Sequence, residues 1–119
     1  MEIKAHRELK VWQKSLDLVD LVYALTKTFP KDEQYALSQQ LRRCAVSVPS
    51  NIAEGNARNS TKEYLQFISI ARGSLAELDT QLIIAFRAKY INQNKLNELE
   101  SMIAEIGRML AGMKKSLTS

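Results

Sequence analysis

Apolar residues return every three or four positions along most of this chain, the period of an amphipathic α-helix. Four long segments carry the pattern. The first spans about Glu8 to Thr28 and stops before Phe29-Pro30, because proline disfavours helical geometry in the residue ahead of it. Lys31-Asp32-Glu33 opens the second, with acids suited to the positive end of a helix dipole. Its apolar stripe is Leu37, Leu41, Cys44, Ala45, Val48 and Ile52. Pro49 falls inside that stripe, where it removes a hydrogen bond and crowds the carbonyl of Ala45, so a kink or a stop and restart is expected. Gly55 supplies an end signal.

Ser60-Thr61-Lys62-Glu63 fits a capping box and predicts a third helix running to about Lys89. Its core arc is Tyr64, Phe67, Ile68, Ala71, Leu75, Leu78, Leu82, Ala85 and Phe86. Asn92 or Asn94 caps a fourth segment whose apolar positions, Leu96, Leu99, Ile103, Ile106, Leu110, Met113 and Leu117, form a strict heptad seam. Gly107 and Gly112 lie within it at a cost of about 1 kcal/mol each, which suggests close helix approach. Long amphipathic helices with short connections predict an all-α fold, an antiparallel up-and-down four-helix bundle in one domain over residues 1–119.

The first helix is apolar on too many sides for such a bundle. Leu9, Trp12, Leu16, Val19 and Tyr23 occupy one arc, and Val11, Leu18, Leu21, Val22 and Leu25 another. Together they span roughly 240°, whereas one core-facing stripe needs little more than ~100°. Three sister helices cannot surround a fourth, so one arc is expected to be a subunit interface, assigned here to Val11, Leu18, Val22 and Leu25.

Composition narrows the functional classes. With 45% apolar and 25% charged residues among 119, the chain has enough apolar surface to form a core. One Cys and one His argue against a disulfide framework and against a Cys/His zinc site, and no cofactor is implied. No apolar run approaches the ~20 residues of a membrane span and no signal peptide is visible, so a cytoplasmic protein is expected. The net charge is +4, and the densest surplus lies between Arg42 and Arg72, where Arg42, Arg43, Arg58, Lys62 and Arg72 face only Glu54 and Glu63. That window permits contact with nucleic acid.

Polar residues also recur at helical spacing. Gln40, Arg43, Ser47, Asn51 and Glu54 line the second helix beside its apolar stripe; Ser74, Glu77 and Gln81 do so on the third. A hydrogen-bonded seam is expected, with Arg43 and Glu77 as a charged pair and Asn51 and Gln81 satisfying neighbouring groups. Enzymatic chemistry is not advertised. The phosphate-loop and Rossmann glycine patterns are absent, the single His6 cannot serve a ferritin-like di-metal site, and Cys44 sits on a core arc.

The run Arg42-Arg43-Cys44-Ala45-Val46-Ser47-Val48-Pro49-Ser50-Asn51-Ile52-Ala53-Glu54-Gly55 resembles the signature of the bacterial four helix bundle proteins, also called 23S rRNA intervening-sequence proteins. Leu9-Lys10-Val11-Trp12-Gln13-Lys14, Ser60-Thr61-Lys62-Glu63-Tyr64, Gly73 through Leu82 and Ile106-Gly107-Arg108-Met109-Leu110 extend the likeness over nearly the whole chain. The resemblance implies a cytosolic bundle that assembles as a ring-shaped homopentamer without enzymatic activity. Related accessory proteins of retroelements bind nucleic acid and a reverse transcriptase, so RNA or a nucleic-acid-processing protein is the implied partner. Arg42 and Arg43 match the family's Arg-Arg motif, and Cys44 stands where alanine is commoner. The expected phosphate contacts are Arg42, Arg58, Lys62 and Arg72; Arg43, Ser47, Asn51, Glu54, Glu77 and Gln81 are expected to form the structural seam. The alternative expectation is a protein-interaction scaffold that docks a partner helix and has no affinity for nucleic acid.

Overall fold

A computed structural model describes residues 5–119. Its regular elements are all helical: α1 (Lys10–Thr26), α2 (Leu37–Asn56), α3 (Thr61–Arg87) and α4 (Gln93–Thr118), with 3-10 turns at Ala5–Glu8 and Lys31–Glu33. The described chain measures 44 × 23 × 20 Å. Neighbours in sequence pack together, α2 against α3 most extensively, and α1 closes on both α2 and α4.

Local chemistry sets the helix ends. Thr26 Oγ1 donates to Val22 O at 2.9 Å and Thr28 Oγ1 to Leu25 O at 2.7 Å, so hydroxyls occupy carbonyls at the close of α1. The second apolar segment does not become helical at Lys31 as its acids suggest. It begins as a 3-10 turn, and α2 starts only at Leu37. Glu33 explains the offset: its carboxylate accepts from Leu37 N at 3.3 Å and from the Tyr90 hydroxyl at 2.8 Å, tying the turn both to α2 and to the α3–α4 connection. Pro49 neither stops nor restarts α2, and its ring is buried.

Ser60 caps α3 by accepting from Glu63 N at 3.1 Å, while the Glu63 carboxylate accepts from the Ser60 hydroxyl rather than from its backbone N–H. The far end of α3 is a Schellman motif. Tyr90 N donates to Ala85 O and Lys89 N to Phe86 O, both at 2.9 Å, and Lys89 holds the left-handed conformation (φ 68°) where glycine is usual. Tyr90 then packs its ring against Phe29, with centroids 5.3 Å apart. Asn92 caps α4 by accepting from Lys95 N at 2.8 Å.

The buried apolar side chains form one cluster fed by all four helices, and Leu96, Leu99, Ile106 and Leu110 of the heptad seam lie inside it. The interface assigned to α1 requires correction. Val11, Leu18, Val22 and Leu25 are buried within this single chain and are unavailable to a second copy. They form the arc that α1 turns toward α2 and α4, where compact aliphatic side chains fit a dense interior. Ser15 lies buried beside them, its hydroxyl satisfied by Val11 O at 2.7 Å. The opposite arc carries Trp12 and Tyr23, whose polar tips favour a wet rim, and there Leu16 and Tyr23 stay 38% and 39% exposed.

The glycines also differ from expectation. A Cβ placed at Gly107 or Gly112 would meet nothing within 4 Å, so neither marks a close approach. Gly55 does. It lies in the last turn of α2, and a Cβ there would sit 2.8 Å from Phe67 Cβ and 3.1 Å from the Tyr64 ring. Gly55→Ala is therefore expected to destabilise the fold by about 1–3 kcal/mol through overpacking, despite the better helix propensity of alanine. Urea denaturation measures it, and an unchanged or raised midpoint would contradict the tight α2–α3 approach.

Candidate nucleic-acid interface

The polar seam divides into separate groups. Between α2 and α3, the Ser47 and Ser74 hydroxyls share a hydrogen bond of 2.8 Å, and Asn51 Nδ2 donates to Ser47 O at 2.7 Å and to Ser47 Oγ at 2.9 Å. The Cys44 thiol donates to Ser74 O at 3.0 Å. Further along α3, Gln81 Nε2 donates to Glu77 Oε2 at 3.2 Å. Gln81 Oε1 is buried and has no donor among the described residues. Arg43 and Glu77 line one open cleft of about 310 Å³ with Gln40 and Ser47, yet no ion pair joins them among the described residues. Glu54 leaves the seam altogether and pairs with Arg58 one turn on. In place of the expected Arg43–Glu77 bridge stands a serine–asparagine core whose hub is Ser47, bonded to both Ser74 and Asn51.

The four expected phosphate contacts occupy different settings. Arg42 is committed within the chain: Nε donates to Thr26 Oγ1 at 2.8 Å, and its guanidinium lies 4.8 Å from the Tyr23 ring centroid. Arg58 lies 4.8 Å from the Phe67 centroid and is shared between Glu54 at 3.9 Å and Glu63 at 3.8 Å, so two carboxylates offset its charge. Lys62 is exposed in the first turn of α3 and makes no ion pair among the described residues. Arg72 opens onto a trough of about 470 Å³ between α3 and α4, floored by Leu75, Ile103, Ala104, Gly107 and Ala111.

Arg108 shares that trough, and sequence reasoning missed it. Its signal lies in the residues around it. Ala104, Gly107 and Ala111 recur at three and four positions on one helix face, leaving room above them that the flanking arginines border. Neither Arg72 nor Arg108 forms an ion pair among the described residues. Gly107, misread as a point of close packing, instead keeps this trough open.

A second surface lies across α1 and α2. Trp12, Leu16, Val19, Val46, Pro49 and Ala53 border an apolar depression of about 300 Å³. His6 meets the Trp12 ring edge-on there, with centroids 5.0 Å apart. On another face, Ile70 and Ile84 of α3 are each 50% exposed.

The chemistry of Cys44 follows from its place in the seam. Burial, and then the negative Glu77, push its thiol from 9.0 up to about 12. The Tyr90 hydroxyl is also raised, first by the hydrogen bond it donates to Glu33. Because the folded thiol titrates above the unfolded one, its contribution to stability is complete below about pH 9 and fades as pH rises toward about 12. Native Cys44 is expected to resist alkylation at pH 8 until the protein is denatured. Above pH 9 the wild type should lose stability faster than Cys44→Ala, by roughly 1 kcal/mol per pH unit. Iodoacetamide labelling and urea titrations over pH 7–11 test both; rapid labelling of the folded protein would refute the buried thiol.

A family model described as 23S rRNA-intervening sequence protein matches residues 7–112. Among solved structures, one is a protein of unknown function from the S23 ribosomal protein family of Bacteroides thetaiotaomicron. It is 25% identical and superposes with a TM-score of 0.81 over 88% of this chain and 98% of its own. No curated protein matches. The match spans α1, α2 and α3 and most of α4, so both the serine–asparagine seam and the α3–α4 trough fall within it. The chain belongs to the 23S rRNA-intervening sequence protein family.

Proposed function

We propose that this protein is a non-enzymatic, homo-oligomeric four-helix bundle that binds RNA, or an RNA–protein complex, through basic surface residues. The observation that carries the reading is the α3–α4 trough, where Arg72 and Arg108 open onto one groove with no acid paired to either among the described residues. Guanidinium groups arranged in this way suit phosphate oxygens, which fix position rather than read sequence. The family's description supports RNA as the partner. An antiparallel, up-and-down order of the helices belongs to this reading. It is supported between α2 and α3 by the pairing of Gly55 with Phe67 and Ser47 with Ser74, in which one index rises as the other falls.

Self-association uses what α1 leaves outside, Trp12, Leu16 and Val19, with Val46 of α2. A head-to-tail ring needs two different complementary patches on each copy, and the isoleucines of α3 supply a second. A pentamer, as the resemblance implies, and a cytoplasmic setting complete the proposal. The alternative remains a scaffold that docks a partner helix in the same α1–α2 depression. The apolar lining of that open depression favours it.

With about four phosphate contacts, affinity for a labelled RNA hairpin should fall roughly 50–150-fold between about 50 and 200 mM salt. Joint Arg72→Glu and Arg108→Glu substitution should weaken it about tenfold or more, and Arg58→Glu less, since its charge is already offset. Fluorescence anisotropy reads both. Affinity indifferent to salt and to the trough would remove the RNA reading and leave the scaffold. Leu16→Asp with Val19→Asp should lower the sedimenting mass of the purified protein without unfolding it, whereas a wild-type chain that sediments as one copy would end the self-association proposal.

A further inference from the structure

A cleft of about 400 Å³ lies where the end of α1 meets the start of α2, on a different face from the α3–α4 trough. Its size falls within the ~300–1,000 Å³ range of small-molecule sites. Tyr23, Gln34, Tyr35, Gln39, Arg42 and Arg43 line it, and no carboxylate does.

Each of these side chains is either fixed by the fold or left without employment in it. Arg42 and Tyr23 are fixed. The guanidinium stacks on the phenol ring and is anchored by Thr26, whose own hydroxyl is bound to Val22 O. They form a preorganised wall with one cation held in place. Tyr35 is the opposite case. It sits between the 3-10 turn and α2 and is 83% exposed, with no aromatic neighbour or hydrogen bond among the described residues. A single exposed aromatic is ordinary; one that borders a cleft with two cations and two amides is not. Gln34 and Gln39 each offer a donor and an acceptor, and their side chains make no hydrogen bond among the described residues. Arg43 is exposed and forms no ion pair among them.

We propose that this cleft binds one unstacked nucleotide unit, with its base against the Tyr35 ring and its phosphate on Arg43. A π-face, two amides that can pair with base edges and a guanidinium with no ion-pair partner among the described residues are what such a unit requires. An anionic ligand meets no repulsive group there, and the Arg42–Tyr23 wall lowers the ordering needed on binding. The proposal goes beyond the RNA reading, because it names a ligand class and residues, Gln34, Tyr35, Gln39 and Arg43, which that reading does not use. The nucleotide has two sources, a free mononucleotide or an unpaired residue in an RNA strand, and the chemistry at the cleft is common to both.

The test is titration of isotope-labelled protein with AMP, with ribose 5-phosphate, and with a hairpin carrying one unpaired adenosine beside the same hairpin fully paired. AMP should shift backbone signals at Gln34, Tyr35, Gln39 and Arg43. Tyr35→Ala should weaken AMP about tenfold, while Tyr35→Phe, which keeps the ring, should not. Ribose 5-phosphate should bind about tenfold more weakly than AMP. A bulged hairpin that shifts these residues where the paired one does not assigns the site to RNA; a response to AMP alone assigns it to the free nucleotide. No shift at the cleft with AMP or the bulged hairpin up to about 10 mM, or equal affinity in Tyr35→Ala, overturns the proposal. Loss of hairpin binding on mutation of Arg72 and Arg108, with the AMP shifts intact, separates it from the trough.

Discussion

The close approach of α2 to α3 is the constraint from which the remaining geometry follows. At one end it depends on the missing side chain of Gly55, which admits Phe67 and Tyr64 to the backbone of α2. Midway it depends on small polar groups, where Ser47 and Cys44 meet Ser74 within hydrogen-bond distance and Asn51 braces Ser47. Small side chains bring helix axes together, and hydroxyls then become both necessary and satisfiable, because a buried polar atom without a partner is costly. The same proximity turns Cys44 into a hydrogen-bond donor and lifts its thiol far out of the reactive range. It also sets α1 and α4 on either side, with their outward faces exposed.

This packing divides the cations into two classes. Arg42 and Arg58 are drawn onto aromatic rings and onto groups of the same chain, so much of their capacity is used within the fold. Arg72, Arg108 and Arg43 border open space and have no acidic partner among the described residues. Net charge does not separate these classes; what lies within about 4–5 Å of each guanidinium does. The surfaces proposed for binding are therefore the α3–α4 trough and the α1–α2 cleft, where these uncommitted guanidinium groups lie.

How far the site could be read in advance depends on the kind of signal each residue carries. Ser60 and Asn92 are caps whose partners lie three residues away, so the pattern alone places them. Arg72 was legible as a cation. Arg108 was not, because its importance comes from Ala104, Gly107 and Ala111 forming a hollow against another helix, a property of two surfaces rather than one. Gly55 and Gly107 show the same limit. Both are glycines in helices, and only the neighbouring helix decides that one is pressed and the other open.

Periodicity and capping chemistry determined that this chain makes four helices, about where α1, α3 and α4 begin, and that α1 carries more apolar surface than one core-facing stripe. These are local properties, set by side chains within a few residues of one another. Tertiary structure decided which arc of α1 faces inward, turning Val11, Leu18, Val22 and Leu25 from expected interface into core. It also replaced an Arg43–Glu77 bridge with hydrogen bonds centred on Ser47, and it placed Tyr35 and Arg43 on one cleft. The reason is physical: a helix of this kind has two apolar arcs that a helical wheel cannot rank, and only the shape and volume of the helices packed against it break the tie.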